Sequence, residues 1–121
     1  MASNKIFRFG PIAVPNTVGN LLNPATTTGG VNSGATPTYI VLRHIRIVNK
    51  TAGAVTFSGY IGGTGGSAAG TEFLGTALSI AANSYVDWYG QVRLDSTDFL
   101  TGVASAATSL TINGEGEIGV A

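Results

Sequence analysis

From Thr38 onward, apolar and polar side chains alternate with a period of two, the repeat of a strand with one buried face. The stretch YIVLRHIRIV (39–48) is rich in β-branched residues and predicts a strand. Its apolar positions run Ile40, Leu42, then Ile45, Ile47, so the parity slips at Arg43–His44. Such a slip marks a bulge or a strand buried on both faces. NKTAG (49–53) is a turn, and in 54–62 Val55, Phe57, Gly59 and Ile61 oppose Thr56, Ser58 and Tyr60. In 71–80, Leu74, Leu78 and Ile80 share one parity. In 85–94, Val86, Trp88, Val92 and Leu94 oppose Tyr85, Asp87, Tyr89, Gln91 and Arg93. Residues 95–102 read as a turn anchored by Phe99 and Leu100, and 103–107 as a short strand. In 108–120, Leu110, Ile112, Ile118 and Val120 oppose Thr111, Asn113, Glu115 and Glu117. No window combines helical apolar spacing with caps. The expected fold is all-β: an antiparallel β-sandwich of about six to eight strands with jelly-roll or Ig-like connections.

The first 37 residues break this rhythm. Short apolar pieces, KIFRF and IAV, are separated by glycine and by all four prolines: Pro11, Pro15, Pro24 and Pro37. Proline removes a ladder donor, so this part is expected to be an extended N-terminal arm (1–37) with edge-strand pieces, preceding a sandwich domain at 38–121. Long irregular segments in compact domains usually have a task, and reaching a neighbouring subunit is the simplest. Phe7, Arg8 and Phe9 are its candidate contact residues.

Composition sharpens the picture. The 121 residues amount to one domain. There is no cysteine, which excludes disulfides and thiolate metal sites. Only 10% of residues are charged, against roughly 25% in typical globular proteins, and formal net charge is zero. Basic residues are scattered without aromatic interleaving, so no nucleic-acid partner is expected. A surface so poor in charge points to burial by neighbours and hence to a homo-oligomer. The N-terminus lacks the apolar core of a secretory signal, and no run reaches the ~18 apolar residues of a membrane helix. No membrane association is expected.

The stretch IGGTGGSAAGTE (61–72) fits G-x-G-x-x-A at Gly63, Gly65 and Ala68. A dinucleotide site needs a helix after that loop to receive the pyrophosphate. Here Gly70, Gly75 and a β-period follow instead, so the stretch is expected to connect strands and to be a candidate contact site where another chain approaches closely. His44, the sole histidine, lacks both a metal-ligating cluster and a G-x-S-x-G elbow, and reads as a packed or interface side chain. Asp95 and Asp98 lack the alternating ligands of a calcium loop, which leaves a turn with an Asx-type bond from Asp95. Glu115 and Glu117 share a strand face. Glycoside hydrolysis usually draws its carboxylates from different elements, so these two read as a solvated or subunit-facing edge. The NKT sequon at 49–51 is explained by the turn itself. Trp88 lies on the core parity, whereas Tyr60, Tyr85 and Tyr89 lie on the polar one. Exposed tyrosines suit contact with protein first and carbohydrate second.

The pieces Ile47–Asn49, Val55–Phe57, Ile80–Asn83, Leu94–Leu100 and Thr111–Glu117 form a recurrent pattern. A strand ends in Asn, a Val-Thr-Phe partner follows, an Ala-x-Asn approach leads to an aromatic strand, and a Thr-Ile-x-Gly-x-Glu strand closes the chain. Over residues 38–120 this resembles small β-sandwich virion proteins of tailed bacteriophages. The resemblance implies a structural protein without enzymatic activity, catalytic residues, metal or cofactor. It implies a place in the virion after assembly in the host bacterial cytoplasm. The expected role is capsid decoration (cement), with the major capsid protein or other virion proteins as partners and a trimer as the assembly. The alternatives are a tail, neck or fibre-associated protein, or a carbohydrate-binding host-adhesion module.

Overall fold

A computed structural model describes residues 5–22, 37–95 and 97–120. Eight strands are present: β1 (Lys5–Ala13), β2 (Gly19–Leu22), β3 (Pro37–Asn49), β4 (Val55–Gly62), β5 (Leu78–Ile80), β6 (Ser84–Leu94), β7 (Phe99–Ala104) and β8 (Leu110–Val120). They form two four-stranded antiparallel sheets, ordered β1-β8-β3-β6 and β2-β7-β4-β5, with no helix among the described residues. The fold is the expected β-sandwich. Its strand order, with consecutive strands changing sheet at every connection but that between β4 and β5, is that of a jelly roll.

The alternation seen in the sequence becomes the inner layer. Ile40, Leu42, Ile45, Ile47, Ile112 and Ile118 of the first sheet meet Phe57, Ile80 and Leu100 of the second, all 2% exposed or less. The parity slip is a register shift between Leu42 and His44 against both neighbours of β3. It leaves Arg43 and His44 both outside while Ile45 returns to the core.

The division at residue 37 does not hold for the part of the arm that is described. β1 and β2 are strands of the sandwich, edge strands of the first and second sheet respectively. Phe7 and Phe9, expected as contact residues, are buried at 1% and 8% exposure. The reason lies across the ladder: Phe7 pairs with Gly116 and Phe9 with Gly114. At Gly114 the missing Cβ leaves room that the Phe9 ring fills, while Gly116, opposite Phe7, admits the close approach of the Val41 backbone. Residues 1–4 and 23–36 of the expected arm lie outside the described residues.

Two further expectations shift. Of 71–80, only Leu78–Ile80 is a strand, because Leu74, Gly75 and Ala77 take left-handed φ values of 74°, 109° and 53° that no strand accommodates. Phe99–Ala104, read partly as turn, is the interior strand β7, pairing with both β2 and β4. Its small residues, Gly102 and Ala104, sit beneath Phe57 and obscured the apolar pattern.

The glycine stretch is held against its own molecule. Thr101 Oγ1 donates to the Gly66 carbonyl at 2.6 Å, and Asn20 Oδ1 accepts from the Gly65 N–H at 2.7 Å. Asn20 Nδ2 donates to Thr64 Oγ1 at 2.8 Å. The loop therefore clasps the outer face of the second sheet, and the chain beyond it is extended, bridging Tyr60 through Glu72.

Candidate interaction surface

Strand register assembles a surface from residues far apart in sequence. On the outer face of the first sheet, Arg8, Glu115, His44 and Tyr89 form one row across β1, β8, β3 and β6. Asn113, Arg46 and Asp87 form the next row, and Ile6, Glu117, Val41 and Arg93 lie on the other side. Most of the chain's charged side chains stand on this face. The opposite outer face carries neutral side chains such as Thr56, Ser58 and Thr101, part of it under the glycine loop.

Asp87 is the hub. Its Oδ1 accepts from Arg46 Nε at 2.7 Å and from His44 Nε2 at 3.0 Å, and its Oδ2 accepts from Arg46 Nη2 at 3.0 Å. This bidentate guanidinium–carboxylate pair is the strong form of ion pair. On the far side of the imidazole, His44 Nδ1 lies 3.5 Å from Glu115 Oε1, so the ring stands between two carboxylates. Arg43, placed outside by the slip, binds Glu117 at 2.6 Å. Arg8 has no ion pair among the described residues.

Hydrogen bonding by Arg46 and then by His44 lowers the Asp87 pKa from 3.8 to about 2. A carboxylate depressed in the fold stabilises it above its unfolded pKa, and that contribution is lost as pH falls through the folded value. Stability should therefore decline between pH 3.8 and about 2 on account of this group. Arg46→Gln should raise the Asp87 midpoint toward its ordinary value, read by carboxyl NMR titration. The acid-side loss of stability due to Asp87 should shrink as the folded and unfolded values converge. An unchanged midpoint would refute the assignment of Arg46 as the main cause.

Aromatic and apolar groups stand on this lattice. Tyr89 stacks on His44, with centroids 4.6 Å apart and planes at 14°, and Arg46 lies 4.2 Å over the Tyr85 ring. Ile6, Tyr89 and Tyr85 remain 75%, 71% and 53% exposed, the large hydrophobic side chains most open to solvent among the described residues. Two shallow depressions, about 350 and 400 Å3, flank the His44–Glu115 pair. Arg8, Arg46 and Asn113 border one, and Ile6, Arg43 and Tyr89 the other. The surface is broad, and its polar groups are held in place by one another.

The structure thus unites Arg8, Tyr85 and Tyr89 on one face and separates them from the other expected contact residues. Tyr60 sits half-buried on the second sheet, and Phe7 and Phe9 are core. Glu115 and Glu117 share a face as expected, but β8 is an interior strand between β1 and β3, so they cap ion pairs rather than guard an edge. In the 95–98 turn the direction of the bond is reversed: the Asp98 carboxylate accepts from the Asp95 N–H at 2.9 Å, while Asp95 Oδ1 accepts from Arg93. The sequon asparagine, Asn49, is fully buried with its amide engaged. Sequence reasoning missed Arg46, Asp87 and Ile6. The available signal was the outward parity of His44, Arg46, Asp87 and Tyr89 on two neighbouring strands.

No family model and no curated protein matches the chain. Among solved structures it is similar to a chain in a structure of infectious bursal disease virus, Gx strain, at 8% identity over 95% of this chain with a TM-score of 0.33. It spans 28% of that chain's length.

Proposed function

We propose that this chain is a non-enzymatic structural protein of a tailed-phage virion, a decoration protein that seats the outer face of its first sheet on the major capsid protein. The observation that carries this reading is the concentration of Ile6, Tyr85 and Tyr89 among fixed charges on one broad face. Aromatic anchors and arginines in a polar frame are the composition of protein interfaces. The sequence resemblance over residues 38–120 supplies the virion setting. The jelly roll adds an analogy, since that fold recurs in viral capsids as well as in lectins.

Particle composition tests the role. A copy number comparable to that of the major capsid protein is expected, whereas a few copies at a single vertex would favour the neck or tail. Tyr89→Ala should weaken binding to particles lacking the protein by ~30-fold or more, the effect of losing a ~2 kcal/mol aromatic anchor. Unaltered binding would overturn the choice of face. A second reading, a glycan platform, is favoured by the exposed Tyr89 ring beside Arg46, Asp87 and Asn113. It predicts Tyr89-dependent signals on a glycan array, and silence there would count against it.

A further inference from the structure

One carboxylate of the outer face is only partly engaged. Asp87 accepts three hydrogen bonds, from Arg46 and His44, and Glu117 accepts one from Arg43. Glu115 has only His44 Nδ1 at 3.5 Å, a contact that carries charge only when the ring is protonated, and its side chain is 59% exposed. A carboxylate can accept about four hydrogen bonds, so most of that capacity is open. Arg8 stands opposite Glu115 across the β1–β8 ladder but makes no ion pair with it among the described residues; Arg8 borders the depression on the Asn113 side.

Glu115 also borders the other depression, of about 400 Å3. This one lies between the row of Glu115, His44 and Tyr89 and the row of Ile6 and Glu117. Two of its walls are apolar, Ile6 from β1 and Tyr89 from β6. Its charged lining is Arg43, Glu115 and Glu117. Arg43 and Glu117 cancel in their ion pair, which leaves one net negative charge with His44 neutral. Apolar walls around one carboxylate are complementary to a methylene stem with a cationic head. A neutral apolar side chain would cover Glu115 without bonding it, and an acidic one would meet a like charge. The depression beside Arg8 carries no such net charge, because Arg8 and Arg46 there are opposed by Glu115 and by the Asp87 that Arg46 holds.

We propose that the depression between Ile6 and Tyr89 receives a basic side chain, an arginine or lysine, of the protein partner, with its methylenes against those two walls and its charge on Glu115. The partner chemistry so defined rests on the seating of the first sheet proposed above.

Glu115→Gln keeps the shape of the side chain and removes its charge. Its affinity for particles lacking the protein should fall ~10-fold at low salt, and that of Glu115→Lys should fall further. The gap between wild type and Glu115→Gln should narrow as salt rises, because salt screens the ion pair. Melting curves confirm that both variants fold. Without particles, acetyl-arginine-amide and acetyl-lysine-amide at about 50 mM should shift the NMR signals of the Ile6 methyls and the Tyr89 ring in the full chain. The uncharged acetyl-citrulline-amide should not, and Glu115→Gln should lose the response. Unaltered particle binding by both variants overturns the proposal, and tighter binding by Glu115→Lys would assign an acidic occupant instead. Equal responses to charged and uncharged probes, or none to any, overturn it as well. A wild type that does not bind particles refutes the seating, and the probe responses then decide the chemistry of the depression by themselves.

Discussion

Gly116→Val is expected to abolish the folded domain, and Gly116→Ala to cost ~3 kcal/mol or more. A Cβ at this position would overlap the Val41 carbonyl oxygen of the neighbouring strand. A flexible side chain could move aside, but a backbone oxygen inside the β3–β8 ladder cannot without breaking that ladder. The same strand repeats the demand at Gly114, where a Cβ would lie 2.5 Å from Phe9 Cε1 and 2.8 Å from the His44 carbonyl oxygen. Domains of this size are stable by only ~5–15 kcal/mol, so one such clash consumes much of the margin. Thermal melting should show Gly116→Ala lower by ~10 °C or more. Gly63→Ala is the control: nothing lies within 4 Å of its Cβ, and its melting point should stay within the ~0.5 kcal/mol range of neutral surface changes. Equal effects at the two positions would show that loss of glycine itself, rather than the close approach, governs the outcome.

The second large effect is expected at Asn49, at the end of β3. Its Nδ2 group donates to the carbonyls of Gly53, Ile80 and Ala81 at 2.9, 3.0 and 3.2 Å. Its Oδ1 accepts from the Thr51 N–H and hydroxyl at 2.9 and 2.7 Å. One buried side chain thus fastens a strand of the first sheet to the turn that leaves it and to the end of β5 in the second. Asn49→Ala strands several of these groups away from water and should cost ~3 kcal/mol in urea unfolding. Asn49→Asp should cost more at neutral pH, because a carboxylate would face three carbonyl oxygens. Its pKa would be raised in the fold, so acidification should restore part of the loss, the opposite sign to the wild-type Asp87 effect. If both variants melt like wild type, the anchoring role of Asn49 is wrong.

The inner faces of β4, β6 and β8 were readable because each alternates through its own length, and the Arg43–His44 slip was readable because isoleucines flank it. What escaped was long-range. Phe7 and Phe9 read as contact residues because the glycines they pair with lie more than a hundred residues away, in a strand whose neighbour no local pattern identifies. Likewise Asp87 and His44 are 43 positions apart. Each alone is an ordinary polar residue on an outward parity, and only the β3–β6 register makes them one network. β7 was hidden by its small residues, which answer to Phe57 across the sheet rather than to any period of their own.

The glycine clasp gives the molecule a second use for its far side. Residues 67–70 are exposed, between a point fastened to β7 through Gly66 and one returned to β4 through Thr71. A foreign peptide grafted at Ala69 would lengthen the chain between two fixed posts without pulling on either. It would project from the face opposite Tyr89 and Ile6. On the proposed seating of the first sheet against the capsid, a coated particle would carry the graft on its exterior, as a multivalent display.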